Sequence, residues 1–293
     1  MKKILTAITI MLVVVASLSA KGKVKHVFYI GLDGWGSYSV EKADMPNVSR
    51  LIENGSCTLK KRTVLPSSSA PNWAAMFMGV GPEVHGFYNC CSDKPDHEPA
   101  VIGKNGSFPT IFQILRDQKP DAEIGVFSEW LGIKYLIDTV SVNVYRQVPQ
   151  EDLCEVSKAY IHSKKPTLAA FIYDDPDHVG HKYGHDTPEY YEKMKQLDAW
   201  VGEIVDAIEQ AGLMEDSIII VTSDHGGINK GHGGRSMMEM ETPLIVCGKG
   251  IKQGYRFDDV SIMQYDVAAT MAYIFNLKMP QAWFGRPIKQ IFK

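Results

Sequence analysis

Ser217-Ile218-Ile219-Ile220-Val221-Thr222-Ser223-Asp224-His225-Gly226-Gly227 decides the reading of the fold. Three isoleucines followed by a valine suit a strand covered on both faces, as in a parallel sheet with helices on either side. The run ends in Asp224 and His225, and the paired glycines after them let the chain turn sharply. An acid and an imidazole therefore stand at the carboxyl end of a buried strand, where open α/β sheets build their sites.

Outward from this stretch, apolar runs of strand length alternate with helical patterns, without internal repeats or a long Pro/Gly linker. The runs predict strands over His26–Leu32, Ile124–Phe127, Thr167–Tyr173, Ser217–Thr222 and Leu244–Cys247. The intervening patterns predict helices over Pro46–Asn54, Pro71–Met78, Pro109–Asp117, Glu151–Ser163, Pro188–Ala211 and Gln264–Phe275. This alternation is that of an α/β protein, expected as a single-domain three-layer α/β/α sandwich with a mostly parallel central sheet. The clearest helix begins at Pro188, where Thr187 can cap it, and Gly212 closes it. Met194, Leu197, Val201, Ile204, Val205 and Ile208 form one apolar face, which reads as core packing.

Other buried strands also end in acids. His26 to Leu32 leads to Asp33-Gly34, and Thr167 to Tyr173 leads through Asp174-Asp175-Pro176 to Asp177 and then His181. A lone Asp-Gly is usually a turn, and a lone Asp-x-x-x-His pair is usually solvated surface. Three such endings on one sheet edge argue for a site. Gly231-His232-Gly233-Gly234 adds a third histidine seven residues after His225. Three carboxylates with three histidines suit Zn²⁺, whereas an all-oxygen set would favour Ca²⁺ or Mg²⁺. Six ligands exceed one tetrahedral site and suit two, and paired metals are a usual clamp for phosphoryl transfer.

A nucleophile should lie near that edge. In Pro66-Ser67-Ser68-Ser69-Ala70-Pro71-Asn72-Trp73, Ser69 immediately precedes an expected helix start, because proline favours the first turn. A hydroxyl there meets backbone N–H groups and the positive end of the helix, which stabilise phosphate oxygens. The plainer alternative is that Ser69 only caps the helix.

Taken together these residues resemble the alkaline phosphatase superfamily, and within it the type I phosphodiesterase/nucleotide pyrophosphatase branch. The carriers are Leu32-Asp33-Gly34, Met45-Pro46-Asn47-Val48-Ser49-Arg50-Leu51, Ser69-Ala70-Pro71-Asn72, Gly79-x-x-Pro82-Glu83-x-His85-Gly86, Asp177-x-x-Gly180-His181 and Ser223-Asp224-His225-Gly226. The series runs in order through nearly the whole chain after residue 20. The resemblance implies one zinc held by Asp177, His181 and His232, and a second held by Asp33, Asp224 and His225 with Ser69 as a further ligand. It implies that Ser69 attacks phosphorus and forms a phosphoryl- or nucleotidyl-enzyme that is then hydrolysed. His85 is structural in this pattern.

The chain departs from the branch in places. Serine stands at position 69 where nucleotide-cleaving members usually have threonine, and Ser68 stands where they have lysine. Their oxygen-binding asparagine falls on Cys90, one position after Asn89, so Asn89 is the candidate here. A sulfatase is the nearest rival, since Ser69-Ala70-Pro71 opens the C/S-x-P-x-R signature, but the fifth position is Trp73. A phosphomonoesterase or phosphonate hydrolase of the same superfamily stays open, although no arginine stands beside Ser69 in the sequence. A non-catalytic, metal-stabilised binding protein is the remaining alternative.

The N-terminus carries Lys2 and Lys3, an apolar run from Ile4 to Val15 and small residues from Ala16 to Ala20. Residues 1–20 read as a secretory signal peptide and residues 21–293 as the catalytic domain, periplasmic or secreted and without stable membrane association after cleavage. An uncleaved anchor is the alternative, but the run falls short of the roughly 20 residues a spanning helix needs. The chain has a formal charge of −3, and losing the two lysines makes it −5. There is no basic excess for a nucleic-acid backbone, while a small-molecule phosphate ester remains a fitting partner. The five cysteines, Cys57, Cys90, Cys91, Cys154 and Cys247, are too few and too odd in number for a disulfide framework, and Cys247 reads as a buried thiol. Asp93 to Glu98 reads as a solvated loop or a border of the site. His178 and His185 read as supports of the ligands or as exposed, and Trp35, Trp73, Phe87 and Tyr88 as stackers on a leaving group or as core.

Overall fold

Side chains alternate across a strand, and in this chain the alternation divides two cores. A computed structural model describes residues 23–89 and 93–293; the expected signal peptide and the pairing of Cys90 and Cys91 lie outside the described residues. Val27 and Tyr29 share one apolar cluster with Ile172, Ile218, Ile220, Trp73, Phe77 and Phe112. Phe28, Ile30 and Leu32 share the other with Phe171, Tyr173, Ile219, Val221, Leu153, Leu197 and Val201. Helices thus cover both faces of one sheet, and the structure is the α/β sandwich that the sequence predicts.

The strands in chain order are β1 His26–Asp33, β2 Gly55–Arg62, β3 Ile124–Ser128, β4 Val144–Gln147, β5 Leu168–Pro176, β6 Ser217–Thr222, β7 Glu241–Gly248, β8 Tyr255–Arg256 and β9 Ile262–Met263. They lie in the order β4-β3-β5-β1-β6-β7-β2-β8, with β9 beside β2. Only β7 opposes the common direction, pairing antiparallel with both β6 and β2. The register matters for the site: Gly31 faces Ile172 of β5 and Thr222 of β6. The carboxyl ends of β5, β1 and β6 therefore finish side by side, with a register shift between Leu32 and Asp33.

Sequence reasoning does not find β2 and β4. Leu59-Lys60-Lys61-Arg62 ends β2 in charge, which hides a strand whose Gly55 to Thr58 and Lys61 are buried. Short β4 lies at the sheet edge. The helix Pro188–Gln210 carries its expected Thr187 cap and buries the expected stripe. The helix Pro46–Glu53 is capped from that neighbour, where Asp198 accepts from Asn47 N at 3.1 Å and Val48 N at 2.8 Å. Cys57, Cys154 and Cys247 are free thiols, and Cys247 is only half-buried.

The helix beginning near the serines starts at Ser69, two residues earlier than predicted, and all its residues through Met78 are buried. It lies so close to the sheet that a β-carbon on Gly31 would come within 2.4 Å of the Trp73 ring. Ser68, with extended backbone, takes the cap position. Ser69 is therefore the first helical residue rather than the cap, and its hydroxyl points elsewhere.

Candidate metal centre and nucleophile

The three strand ends interlock through Gly34. Its φ of +71° turns the chain directly after Asp33, and a β-carbon there would lie 2.5 Å from Cβ of Asp177. Its N–H donates to Asp224 Oδ1 at 3.2 Å. One glycine thus brings the ends of β1, β5 and β6 into contact.

After β5 the chain enters a short helix, Asp177–Tyr183, which is absent from the predicted helices; one turn places Asp177 and His181 together. His181 Nε2 lies 3.1 Å from Asp177 Oδ2 and 3.1 Å from His232 Nε2, and His232 Nε2 lies 3.6 Å from the same carboxylate oxygen. The loop carrying His232 is docked on the serine turn: His232 Nδ1 faces Ser67 O at 3.2 Å, and Ser67 Oγ donates to Gly234 O at 2.6 Å. Glu239 holds the same loop from below, accepting from Gly234 N and Ser236 N.

After β6, His225 Nε2 lies 3.3 Å from Asp33 Oδ1 and 3.3 Å from Asp224 Oδ2. Ser69 Oγ donates to Asp33 Oδ1 at 3.3 Å and lies 3.2 Å from His225 Nε2. The rings of His225 and His232 stack at 3.9 Å between centroids, so the two groups share a wall.

Each group has the form of a cation site. Ligand atoms of Asp177, His181 and His232, and likewise of Asp33, Asp224 and His225, all fall within 4.8 Å of one another. Each histidine turns Nδ1 to a backbone carbonyl: His225 to Gly226 at 2.7 Å, His181 to Lys230 at 2.9 Å and His232 to Ser67. In the neutral ring that carbonyl holds the proton at Nδ1 and leaves the Nε2 lone pair facing inward. The Nε2 atoms of His181 and His232 face one another across 3.1 Å. Asp224 Oδ2 is buried without a hydrogen-bond partner. One cation in each group satisfies these atoms, and a set of imidazole and carboxylate donors suits zinc.

The electrostatics agree. Burial, with Asp224 and Asp177 nearby, pushes Asp33 well above the ordinary carboxylate range, and burial with Asp177 raises Asp224 to about 7. Burial also opposes the charge on Asp177, but hydrogen bonds from His181 and His185 outweigh it and hold this acid far below that range. The same bond to Asp177 raises His181 to about 9, while burial lowers His225 and brings His232 to about 4. Three buried acids repel one another at a point where the chain itself supplies too little positive charge.

Seven of the eight expected site residues gather here. Asn89 does not: it is exposed, and its backbone N–H and side-chain amide both donate to Asp96. Asp96 of the acidic loop thus ties that loop to Tyr88 and Asn89. His85 is buried and structural, its Nε2 3.2 Å from Pro71 O. His178 is exposed. His185 is buried and lies 3.3 Å from Asp177 Oδ1, so it orients a ligand. Trp35, Trp73 and Phe87 are buried, which removes them as stacking surfaces. Asn72, whose role the sequence does not reveal, pins the serine turn by donating to Ser68 O at 2.8 Å and Pro66 O at 3.1 Å.

Comparison with known proteins places this geometry. The family model described as type I phosphodiesterase/nucleotide pyrophosphatase matches residues 27–241. Human bis(5'-adenosyl)-triphosphatase ENPP4 is 25% identical over 215 residues, which are 67% of this chain and 46% of that protein. The chain spans about half the length of the curated relatives it matches first. Among solved structures, murine ectonucleotide pyrophosphatase/phosphodiesterase 5 in complex with AMP superposes with a TM-score of 0.76 at 15% identity, covering 92% of this chain and 100% of that one. BT1596, a 2-O GAG sulfatase, superposes with a TM-score of 0.74 at 14% identity, covering 92% of this chain and 74% of that one. At these identities the two superpositions speak to the fold.

Proposed function

The chain belongs to the type I phosphodiesterase/nucleotide pyrophosphatase family of the alkaline phosphatase superfamily, and we propose that it is an exported two-zinc phosphoesterase that cleaves phosphodiester or pyrophosphate bonds of small nucleotide-like esters through Ser69. The observation that carries this reading is the position of Ser69 Oγ, 3.3 Å from Asp33 Oδ1 and 3.2 Å from His225 Nε2, at the first residue of a buried helix.

In this reading Asp177, His181 and His232 hold one zinc, and Asp33, Asp224 and His225 with Ser69 hold the other. When bound, the pair supplies positive charge that lowers the hydroxyl pKa and offsets charge on the phosphate oxygens. Ser69 Oγ gives its proton to water and attacks phosphorus; the Oγ–P bond forms as the P–O bond breaks, and the bond pair leaves on the leaving-group oxygen, which takes up a proton from water. Water then cleaves the seryl ester and restores the hydroxyl. The positive end of the Ser69–Met78 helix faces the transferred group, a role left to it because Asn89 is engaged by Asp96. A serine turn pinned by Asn72 keeps the nucleophile oriented before substrate arrives.

Two features favour this over a sulfatase. The sulfatase signature needs arginine where Trp73 stands, and the Trp73 indole is committed to Asp33. The donor set also contains three imidazoles, which suit zinc better than calcium. Export rests on the N-terminal sequence, with residues 1–20 removed and residues 21–293 acting as the catalytic domain. Among the described residues no helix is long and apolar enough to cross a membrane.

The test is to purify the protein, measure bound metal, and assay aryl phosphodiester, phosphomonoester and sulfate ester side by side. The expected outcome is zinc with preferred turnover of the diester. Turnover of the sulfate ester alone, or protein without affinity for zinc, overturns the reading.

A further inference from the structure

Lys61 is fully buried in β2, and among the described residues no carboxylate lies within ion-pair distance of it. Its Nζ donates to Ser223 O at 2.8 Å and to Gln264 Oε1, and lies 3.8 Å from Met76 Sδ. All three partners are acceptors. An ammonium offers three donors and no acceptor, which matches three acceptor partners, while burial pushes this amine well below its ordinary range; in either form its N–H groups donate to Ser223 O and Gln264 Oε1.

The same arrangement orients Gln264. With Oε1 turned toward Lys61 Nζ, its Nε2 donates to Asp224 O and lies 3.3 Å from Ser223 O. Ser223 closes the turn, since its Oγ donates to His225 O at 2.8 Å and accepts from Trp35 N at 2.9 Å. The carbonyls of three successive residues, 223, 224 and 225, are thereby held by Lys61, Gln264 and Ser223. Core packing does not require this, because an apolar side chain of similar length fills such a position without burying an amine.

We propose that Lys61, acting with Gln264, is a positioning residue that fixes the Ser223-Asp224-His225 turn in the geometry that presents Asp224 and His225 to a metal. The inference rests on the two-zinc reading above. Partners one bond behind a ligand commonly change metal affinity by about 10- to 100-fold, which sets the scale of the effect.

The test uses the whole protein stripped of metal by chelation. Zn²⁺ is titrated in against a chromophoric chelator, and melting is followed without metal. For Lys61→Met the expected result is one of two binding steps weakened at least about tenfold, even where the lost donor to Ser223 O and Gln264 Oε1 lowers the metal-free melting temperature. In the loaded protein kcat falls and KM holds. Two native-like or tighter binding steps overturn the proposal, and so does a lowered metal-free melting temperature with both steps weakened alike, which marks a merely structural role. Should Lys61→Met not fold, Gln264→Met decides: one weakened step supports the proposal, and two native-like steps overturn it. If the native chain binds no zinc, the two-zinc reading fails and this inference with it. If the native chain binds two and Lys61→Met binds two equally well, the inference alone fails.

Discussion

The indole Nε1 of Trp73 donates a 2.8 Å hydrogen bond to Oδ2 of Asp33, so the helix that begins with Ser69 also orients a carboxylate of the site. Both side chains are buried. The proposed nucleophile and one of the proposed ligands beside it are thereby set by one rigid element rather than by two loops. Replacing Trp73 with Phe keeps an aromatic ring in the core and removes the donor. A hydrogen bond to a charged, buried group contributes about 1.5–3 kcal/mol, and loss of such a support weakens metal binding by about tenfold or more. Thermal melting with and without metal, together with zinc titration, checks both effects. A Trp73→Phe protein that binds zinc as the native chain does would detach the indole from the site.

Ser69→Ala removes the hydroxyl and leaves the six acid and imidazole ligands in place. Turnover of an aryl phosphodiester should fall by about three orders of magnitude or more, while bound zinc stays largely intact. Single-turnover assays with metal analysis on the same preparation separate the two. Retained turnover would show that another group attacks phosphorus.

How far the sequence reveals this site depends on the kind of order each residue belongs to. Asp33, Asp177 and Asp224 are legible because each follows a buried apolar run, and the register of β5, β1 and β6 brings such ends together. Ser69 is legible from Pro71, which marks a helix start. The roles of Trp73, Lys61 and Gln264 are not, because each acts through a contact made across 40 to 203 positions of chain, and no local pattern encodes such a pairing; His185 is legible only as one of two options, a support of the ligands or an exposed residue. β2 is hidden for a related reason: Lys61 reads as solvent-exposed until Ser223 and Gln264 are seen to surround it. Asn89 is a different case: the family spacing falls on Cys90, and the asparagine one position before it donates to a nearby acid, Asp96.

Gly34 is where the metal groups meet, and a β-carbon there should damage both. In Gly34→Ala the left-handed φ costs about 1–2 kcal/mol, and the added carbon presses on Cβ and Cα of Asp177 at 2.5 and 2.8 Å. Gly212 supplies the control, since it has the same φ of +71° with nothing within 4 Å of an added β-carbon. Gly212→Ala should lower the melting temperature through the backbone alone and leave zinc stoichiometry at the native value. Gly34→Ala should lower both. Equal zinc uptake by the two variants would show that the strand ends tolerate being pushed apart.

The apo protein should bind metal more tightly as pH rises, because bound protons compete with it. His181, raised from its ordinary 6.5 to about 9 by Asp177, must lose a proton to become a ligand. Asp224, raised from 3.8 to about 7 by burial, must do so at lower pH. At the Asp177-His181-His232 group one proton leaves His181 per ion bound below pH 9, so its affinity rises by about one order of magnitude per pH unit and levels above 9; at the other group affinity rises as Asp224 and Asp33, both raised by burial, lose theirs. Folding without metal runs the other way. The stability from the raised His181 is fully present below 6.5 and is lost as pH climbs through 9, and Asp224 ionises at a cost to the fold as pH climbs through 7. The melting temperature of chelated protein should therefore fall from pH 6 to 9.5 while that of zinc-loaded protein holds or rises, since bound metal stabilises with the logarithm of its free concentration over its dissociation constant. Melting curves with chelator and with excess zinc across this range test both signs at once, and a gap between them that stays constant with pH would mean that neither His181 nor Asp224 gives up a proton to the metal.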